Sequence, residues 1–261
     1  MFTLADISVD QFVIFSLVFA RVASIIAFLP LLGGAYVPTH IKAGIALVIS
    51  ILVFPVVGGY DINIPKGLYD YSILFVREVM IGLVIGYVSS LIFMGVQYAG
   101  SIIDLQIGFT MIEIIDPETE ASITVIGHFK TLVFTMVFLV IGAHYYFIRV
   151  IGDSFEQIML DNASLSFNLI SSELVNLTAN IFVIAIKLSA PVLITLVITT
   201  ISLGIIARVI PQINVFIVGL PLQISVGLAV MVISLPLLYR IFEYLVQGLL
   251  ESTYRMLMIM G

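Results

Sequence analysis

The chain has 261 residues, 61% of them hydrophobic and 10% charged, with a formal net charge of −6. Soluble domains sit nearer about 45–50% apolar, so a mean hydropathy of +1.25 excludes an ordinary soluble globule. It points to an integral membrane protein, or to a chain that buries nearly everything against other chains. The acidic balance excludes nucleic acid as a partner, because phosphate binding needs a basic surface, and the absence of cysteine excludes disulfides and thiolate metal sites.

The N-terminus, Met1 to Asp10, lacks the basic region of a cleaved signal peptide, so residue 1 reads as part of the mature chain. Six apolar stretches follow, over 11–32, 43–59, 72–98, 122–147, 179–206 and 213–239. Each approaches or exceeds the ~20 residues that a helix needs to cross a bilayer. Helix is the expected state, since an open strand would leave unpaired backbone in hydrocarbon. The alternating segments of about ten residues that mark a membrane barrel do not occur. The fold class is therefore all-α. With no tryptophan, an interfacial aromatic belt would rest on tyrosine.

Between the third and fourth stretches lies Gly100 to Ala121, which carries five acids and no base and is rich in Ile, Leu and Phe. Connections longer than about 12–15 residues are usually functional or disordered, and this one is too apolar for disorder. Residues 148–178 are more polar, and Ser171-Ser172-Glu173 resembles a helix start. From Arg240 to Gly261, Arg240, Glu243, Gln247, Glu251 and Arg255 recur every three or four residues. They form the polar stripe of a separate amphipathic helix suited to a membrane surface or a partner groove. Glu251 and Arg255 are spaced to pair on it. The distribution of Lys and Arg between the two sides places both termini in the cytoplasm.

Arg21, Arg77, Glu78, Lys130 and Lys187 interrupt the apolar stretches. A charge in mid-bilayer costs at least about 2.5–3.5 kcal/mol on insertion scales. Such residues face protein or a wet cavity, serve an ion relay, pair with neighbouring subunits or snorkel. Gly82 and Gly86 form a G-x-x-x-G step suited to close helix approach, within this chain or between subunits. Pro30, Pro55, Pro191, Pro221 and Pro236 are expected to kink or end helices. His40, His128 and His144 have no metal-ligand spacing with the acids, and no P-loop, nucleophile elbow or zincin motif is present. The sequence reads as a non-enzyme that takes no cofactor.

An ordered set of motifs resembles the FliR family of flagellar type III export gate proteins, whose virulence counterpart is the SctT family. The set is Arg21-Val-Ala-Ser, Pro30-Leu-Leu-Gly-Gly, Val37-Pro38, Arg77-Glu78 with Gly82 and Gly86, Gly100-Ser-Ile-Ile-Asp-Leu-Gln-Ile-Gly, Asp116-Pro117, Lys187-Leu-Ser-Ala-Pro191, Gly204 to Phe216 and Gly219-Leu-Pro221. The resemblance covers essentially the whole chain. It implies a FliP-like portion over 1–178, then a FliQ-like helical hairpin and amphipathic tail over 179–261. The subunit would wind with five FliP and four FliQ subunits into a right-handed helical gate in the inner membrane at the flagellar basal body. FlhB would wrap its cytoplasmic mouth, and membrane lipids would surround part of it. Unfolded flagellar proteins would pass through its pore.

By position in the family, the pore plug maps to 104–116, with Gly108, Phe109, Thr110 and Met111 at its tip. A buried turn between helices is the competing reading of Gly108-Phe109. Arg21, Arg77, Glu78, Gly82, Gly86, Asp104, Gln106, Asp116, Lys187, Arg208, Pro211, Gln212 and Asn214 are expected at subunit interfaces or in structural roles. A virulence export gate subunit and a small-solute secondary transporter remain as alternatives. The transporter reading draws on the in-span charges and broken helices.

Overall fold

A computed structural model describes residues 9–29, 37–57, 67–109, 124–160, 166–212 and 214–261. Seven α-helices account for nearly all of them: α1 (Val9–Phe28), α2 (Thr39–Val57), α3 (Leu68–Ile107), α4 (Val125–Val140), α5 (His144–Gln157), α6 (Phe167–Val209) and α7 (Val215–Met260). No strand occurs among the described residues. Five of the helices are long and apolar enough to cross a membrane, or six if α4 and α5 count as one broken span. The chain is an integral membrane protein by this measure.

Several helices differ from the apolar stretches. The fourth stretch is two helices, because Gly142 breaks it with a φ of +77°, a left-handed conformation that glycine adopts without steric cost. Helix α6 starts at Phe167, ahead of Ser171. The Leu169 and Ile170 N–H groups donate to the Ser166 carbonyl, while the Ser171 and Ser172 hydroxyls donate back to the carbonyls of Asn168 and Leu169. They are therefore interior residues of the helix and not its cap.

Pro191, Pro221 and Pro236 lie inside α6 and α7, which run on through them. In an apolar setting, a full break would leave more backbone groups unsatisfied than one proline does. Helix α7 likewise continues through the C-terminal region, so that region is the end of a 46-residue helix and not a separate one. Its stripe of Arg240, Glu243, Gln247, Glu251 and Arg255 is exposed, and Leu249, Thr253, Met256, Leu257 and Met260 on the opposite face are buried in this chain. Arg255 pairs across to Glu173 of α6 at 3.5 Å.

The chain falls into two compact units. One comprises Met1–Leu91, Gly142–Leu177 and Gly248–Gly261; the other comprises Ile92–Ile141 and Thr178–Gln247. In the first, α1 and α3 approach closely at the glycine step. A Cβ on Gly82 would lie 2.5 Å from the Arg21 carbonyl oxygen, and one on Gly86 would lie 2.8 Å from Phe28 Cβ. The G-x-x-x-G step thus serves packing within the chain. Buried Leu17, Val22, Ile25, Ile81 and Ile85 belong to these two helices, and Phe15 meets Phe54 of α2 edge-on.

In the second unit, Ile103, Ile107, Ile126, Val192, Leu196 and Met231 form one apolar cluster. Phe134 is at the centre of an aromatic group with Phe93, Phe138 and Phe242. Gly100 and Gly127 bring α3 and α4 together so closely that a Cβ on Gly100 would collide with the Gly127 backbone. Helices α2 and α7 bury only 17% and 22% of their most apolar windows, so their outer faces are suited to lipid or other chains.

Candidate functional site

Three of the charges that interrupt the apolar stretches, Arg21, Arg77 and Glu78, gather at one helix end. In the first unit, Arg21 and Glu78 are fully buried and paired, Nε to Oε2, at 2.6 Å. The rest of the Arg21 guanidinium serves α5. Its Nη1 donates to the Ser154 carbonyl at 2.7 Å and its Nη2 to the Ile158 carbonyl at 3.0 Å. Its Cζ sits 4.2 Å from the centre of the Phe155 ring. Arg77 donates to the Leu160 carbonyl and lies 3.7 Å from Glu78 Oε1.

The last carbonyls of a helix have no partners within it and carry partial negative charge. Two arginines, from α1 and α3, therefore act as the C-terminal cap of α5, and Glu78 neutralises the more deeply buried one. A guanidinium suits this task, since its planar fork can meet several oxygens at once. Pairing within the chain is by itself sufficient for these charges to be tolerated in an apolar setting.

In the second unit the same logic operates with the sign reversed, at the root of the 110–123 connection. Helix α3 ends at Gly108, whose φ is +94°, and the N–H groups of Gly108 and Phe109 both donate to the Asp104 carbonyl at 3.1 Å. This is the left-handed glycine cap that commonly closes a helix. Phe109 folds back onto the cluster that contains Ile103 and Ile107. Across the connection, α4 begins after Thr124, whose side chain makes no capping hydrogen bond. The cap comes from Asp104 instead. Ile126 N donates to both Asp104 carboxylate oxygens at 3.1 Å, and Gly127 N to Oδ2 at 3.3 Å. Asp104 is 1% exposed, so this carboxylate is wholly committed to the protein interior.

The residues singled out in the sequence thus separate. Arg21, Arg77, Glu78, Gly82 and Gly86 come together in the first unit, and Asp104, Gly108 and Phe109 in the second. Gln106 is half-buried beside them. Gly108 and Phe109 lie at the root of the 110–123 connection, and Thr110, Met111 and Asp116 fall outside the described residues.

Lys187 is exposed midway along α6. Arg208, Pro211, Gln212 and Asn214 are exposed at the α6–α7 turn, where the Asn214 carbonyl receives the N–H groups of Ile217 and Val218 and its Oδ1 that of Ile217. Lys130 is more deeply placed than its position in an apolar run suggested. It is 1% exposed, and its Nζ donates at 2.9 Å to the Leu188 carbonyl, in the turn of α6 that Pro191 disturbs. The spacing Lys-Leu-Ser-Ala-Pro hinted at a perturbed turn but not at which lysine would fill it. Among the described residues no group of three His, Asp or Glu could hold a metal ion.

The family described as Bacterial export proteins, family 1, matches residues 12–249. The Flagellar biosynthetic protein FliR of Bacillus subtilis (strain 168) is 31% identical over 260 residues, which is 97% of this chain and 98% of that protein. That of Escherichia coli (strain K12) is 27% identical over 225 residues, covering 86% and 85%. That of Aquifex aeolicus (strain VF5) is 26% identical over 239 residues, covering 87% and 92%. With similarity along nearly its whole length and the motifs set in helices as above, the chain belongs to the FliR family of bacterial export proteins.

Proposed function

We propose that the chain is a structural, non-enzymatic subunit of the flagellar type III protein export gate, in the inner membrane at the base of the flagellum. The observation that carries this reading is the family match over 12–249, joined to near-full-length similarity to proteins named for flagellar biosynthesis. In this reading the chain assembles with FliP, in five copies, and FliQ, in four. FlhB lies at the cytoplasmic mouth, and unfolded flagellar proteins are the cargo. Residues 1–178 act as a FliP-like portion and 179–261 as a FliQ-like hairpin. The broad exposed apolar faces of α2, α6 and α7 suit such an assembly, which would cover them with other subunits and lipid. Exposed Lys187 and Arg208, and the polar turn at Pro211-Gln212, are positions where another subunit could supply a partner.

The pore plug in this reading is the connection that starts at Gly108-Phe109, with Thr110 and Met111 next along it. The capped end of α3 acts as its fixed root. Replacing residues 111–121 with a Gly-Ser linker of equal length, in cells making the whole gate, tests the plug. The expected result is increased ion leakage across the membrane. Wild-type leakage together with wild-type export would remove the plug from the account.

A further inference from the structure

We infer that Lys130 is a strut that sets the angle of α6 at Pro191, and is thereby a positioning residue for the distal part of that helix. Three features carry it. Pro191 lies inside α6 and lacks the N–H that the Lys187 carbonyl would receive, and its ring crowds the same turn. Lys130, from α4, reaches into that turn, where its Nζ donates to the Leu188 carbonyl at 2.9 Å. Lys130 and Leu188 are both 1% exposed, and among the described residues Lys130 forms no ion pair.

A buried ammonium with no carboxylate beside it is a costly way to fill space, so the carbonyl that it meets explains its place. Helices bend sharply at proline and where a side chain enters the hydrogen-bond ladder, and here both occur in one turn. Hydroxyls serve the neighbouring carbonyls: Ser189 donates to Ile186 at 3.1 Å and Thr195 to Pro191 at 2.9 Å. Those two bonds stay within α6 and bend with it, whereas the Lys130 bond ties the turn to another helix. Just past the turn, Val192 and Leu196 join the apolar cluster with Ile103, Ile126 and Met231. From Val197 to Val209, Leu203 alone is buried. The distal part of α6 therefore takes its direction from the turn at Pro191 more than from packing of its own.

The test uses the assembly purified from native membranes, whatever its composition, and so stands apart from the export reading. The chain has no cysteine. Spin labels therefore go on Leu132→Cys in α4 and Ile205→Cys in α6, both exposed positions, with the unsubstituted assembly as background. Pulsed electron resonance then reads the distance between them, and otherwise wild-type chain is expected to give one narrow distance. Ile205 lies roughly 21 Å beyond Pro191 at about 1.5 Å per residue, so a turn released through ~10–20° spreads that distance by about 4–7 Å. That spread is expected for Lys130→Met, whose side chain fills the space without donating. Adding Pro191→Ala is expected to restore the narrow distance, because a main-chain N–H at 191 rebuilds the ladder and the strut is no longer needed.

A distance as narrow as wild type in Lys130→Met would overturn the strut. An equally broad one with and without Pro191→Ala would also overturn it, since Lys130 would then steady the fold without acting through the proline turn. If Lys130→Met does not accumulate in membranes, abundance decides instead. Recovery on adding Pro191→Ala supports the strut, and no recovery overturns it.

Discussion

Converting Glu78 to glutamine should be among the most damaging single changes in the first unit. Arg21 is fully buried, and Glu78 is its only anionic partner among the described residues. The carbonyls of Ser154 and Ile158 and the Phe155 ring would remain around the guanidinium, but none of them carries a full negative charge. Breaking a buried pair from one side costs about 3–5 kcal/mol, because a charge is left uncompensated. Arg21→Met should cost a similar amount, since it strands Glu78, whose Oε1 has Arg77 only at 3.7 Å.

The double variant Arg21→Met with Glu78→Leu should cost much less than the sum. It removes both charges and leaves chiefly the Ile158 carbonyl short of a donor, for about 1–3 kcal/mol. Ser154 keeps the Ile158 N–H as a partner. The assay is the abundance of each variant in membranes, with the thermal midpoint of the purified gate in detergent. Abundance responds several-fold to changes of ~1–2 kcal/mol. If Glu78→Gln accumulates and melts like wild type, or if the double variant is as damaged as the two singles added together, the account of this cluster is wrong.

Three further outcomes can be checked in the same assays. Gly86→Ala should destabilise by about 1–3 kcal/mol through overpacking against Phe28 and Ile25 of α1, whereas Gly44→Ala, with nothing within 4 Å, should be neutral. Gly108→Ala should cost about 1–2 kcal/mol from its left-handed backbone and should be worsened by contact with Leu220, which a Cβ would approach to 2.9 Å. Arg255→Ala should change the thermal midpoint little. Its side chain is 71% exposed in the pair with Glu173, and exposed pairs contribute at most about 1 kcal/mol.

Helix content, the apolar runs and the close-packing role of Gly82 and Gly86 were all legible in the sequence, because each rests on local spacing. The destinations of the charges were not. Arg21 serves carbonyls 133 and 137 positions away, and Lys130 serves one 58 positions away. Hydropathy marks such residues as anomalies but gives no hint of the remote carbonyls they serve, at the end of α5 for Arg21 and inside α6 for Lys130.

Proline and glycine act as helix breakers at different places from those expected. Pro191, Pro221 and Pro236 do not end helices, since α6 and α7 continue through them and in apolar surroundings one lost hydrogen bond costs less than an open turn. Gly142, an unremarked glycine in an apolar run, does break a helix. Asp104 was visible as one acid among five near the plug, but its use as the cap of α4 depended on Thr124 not capping itself, which sequence spacing alone does not reveal.

The central claim is that this chain works as one subunit of a heteromeric protein-export gate. The most direct measurement is the composition and mass of the assembly that it forms when purified from native membranes in mild detergent. The account predicts a stable complex in which one copy of this chain accompanies multiple copies of two other small membrane proteins, FliP and FliQ. A monodisperse homomer that binds a small solute would contradict it.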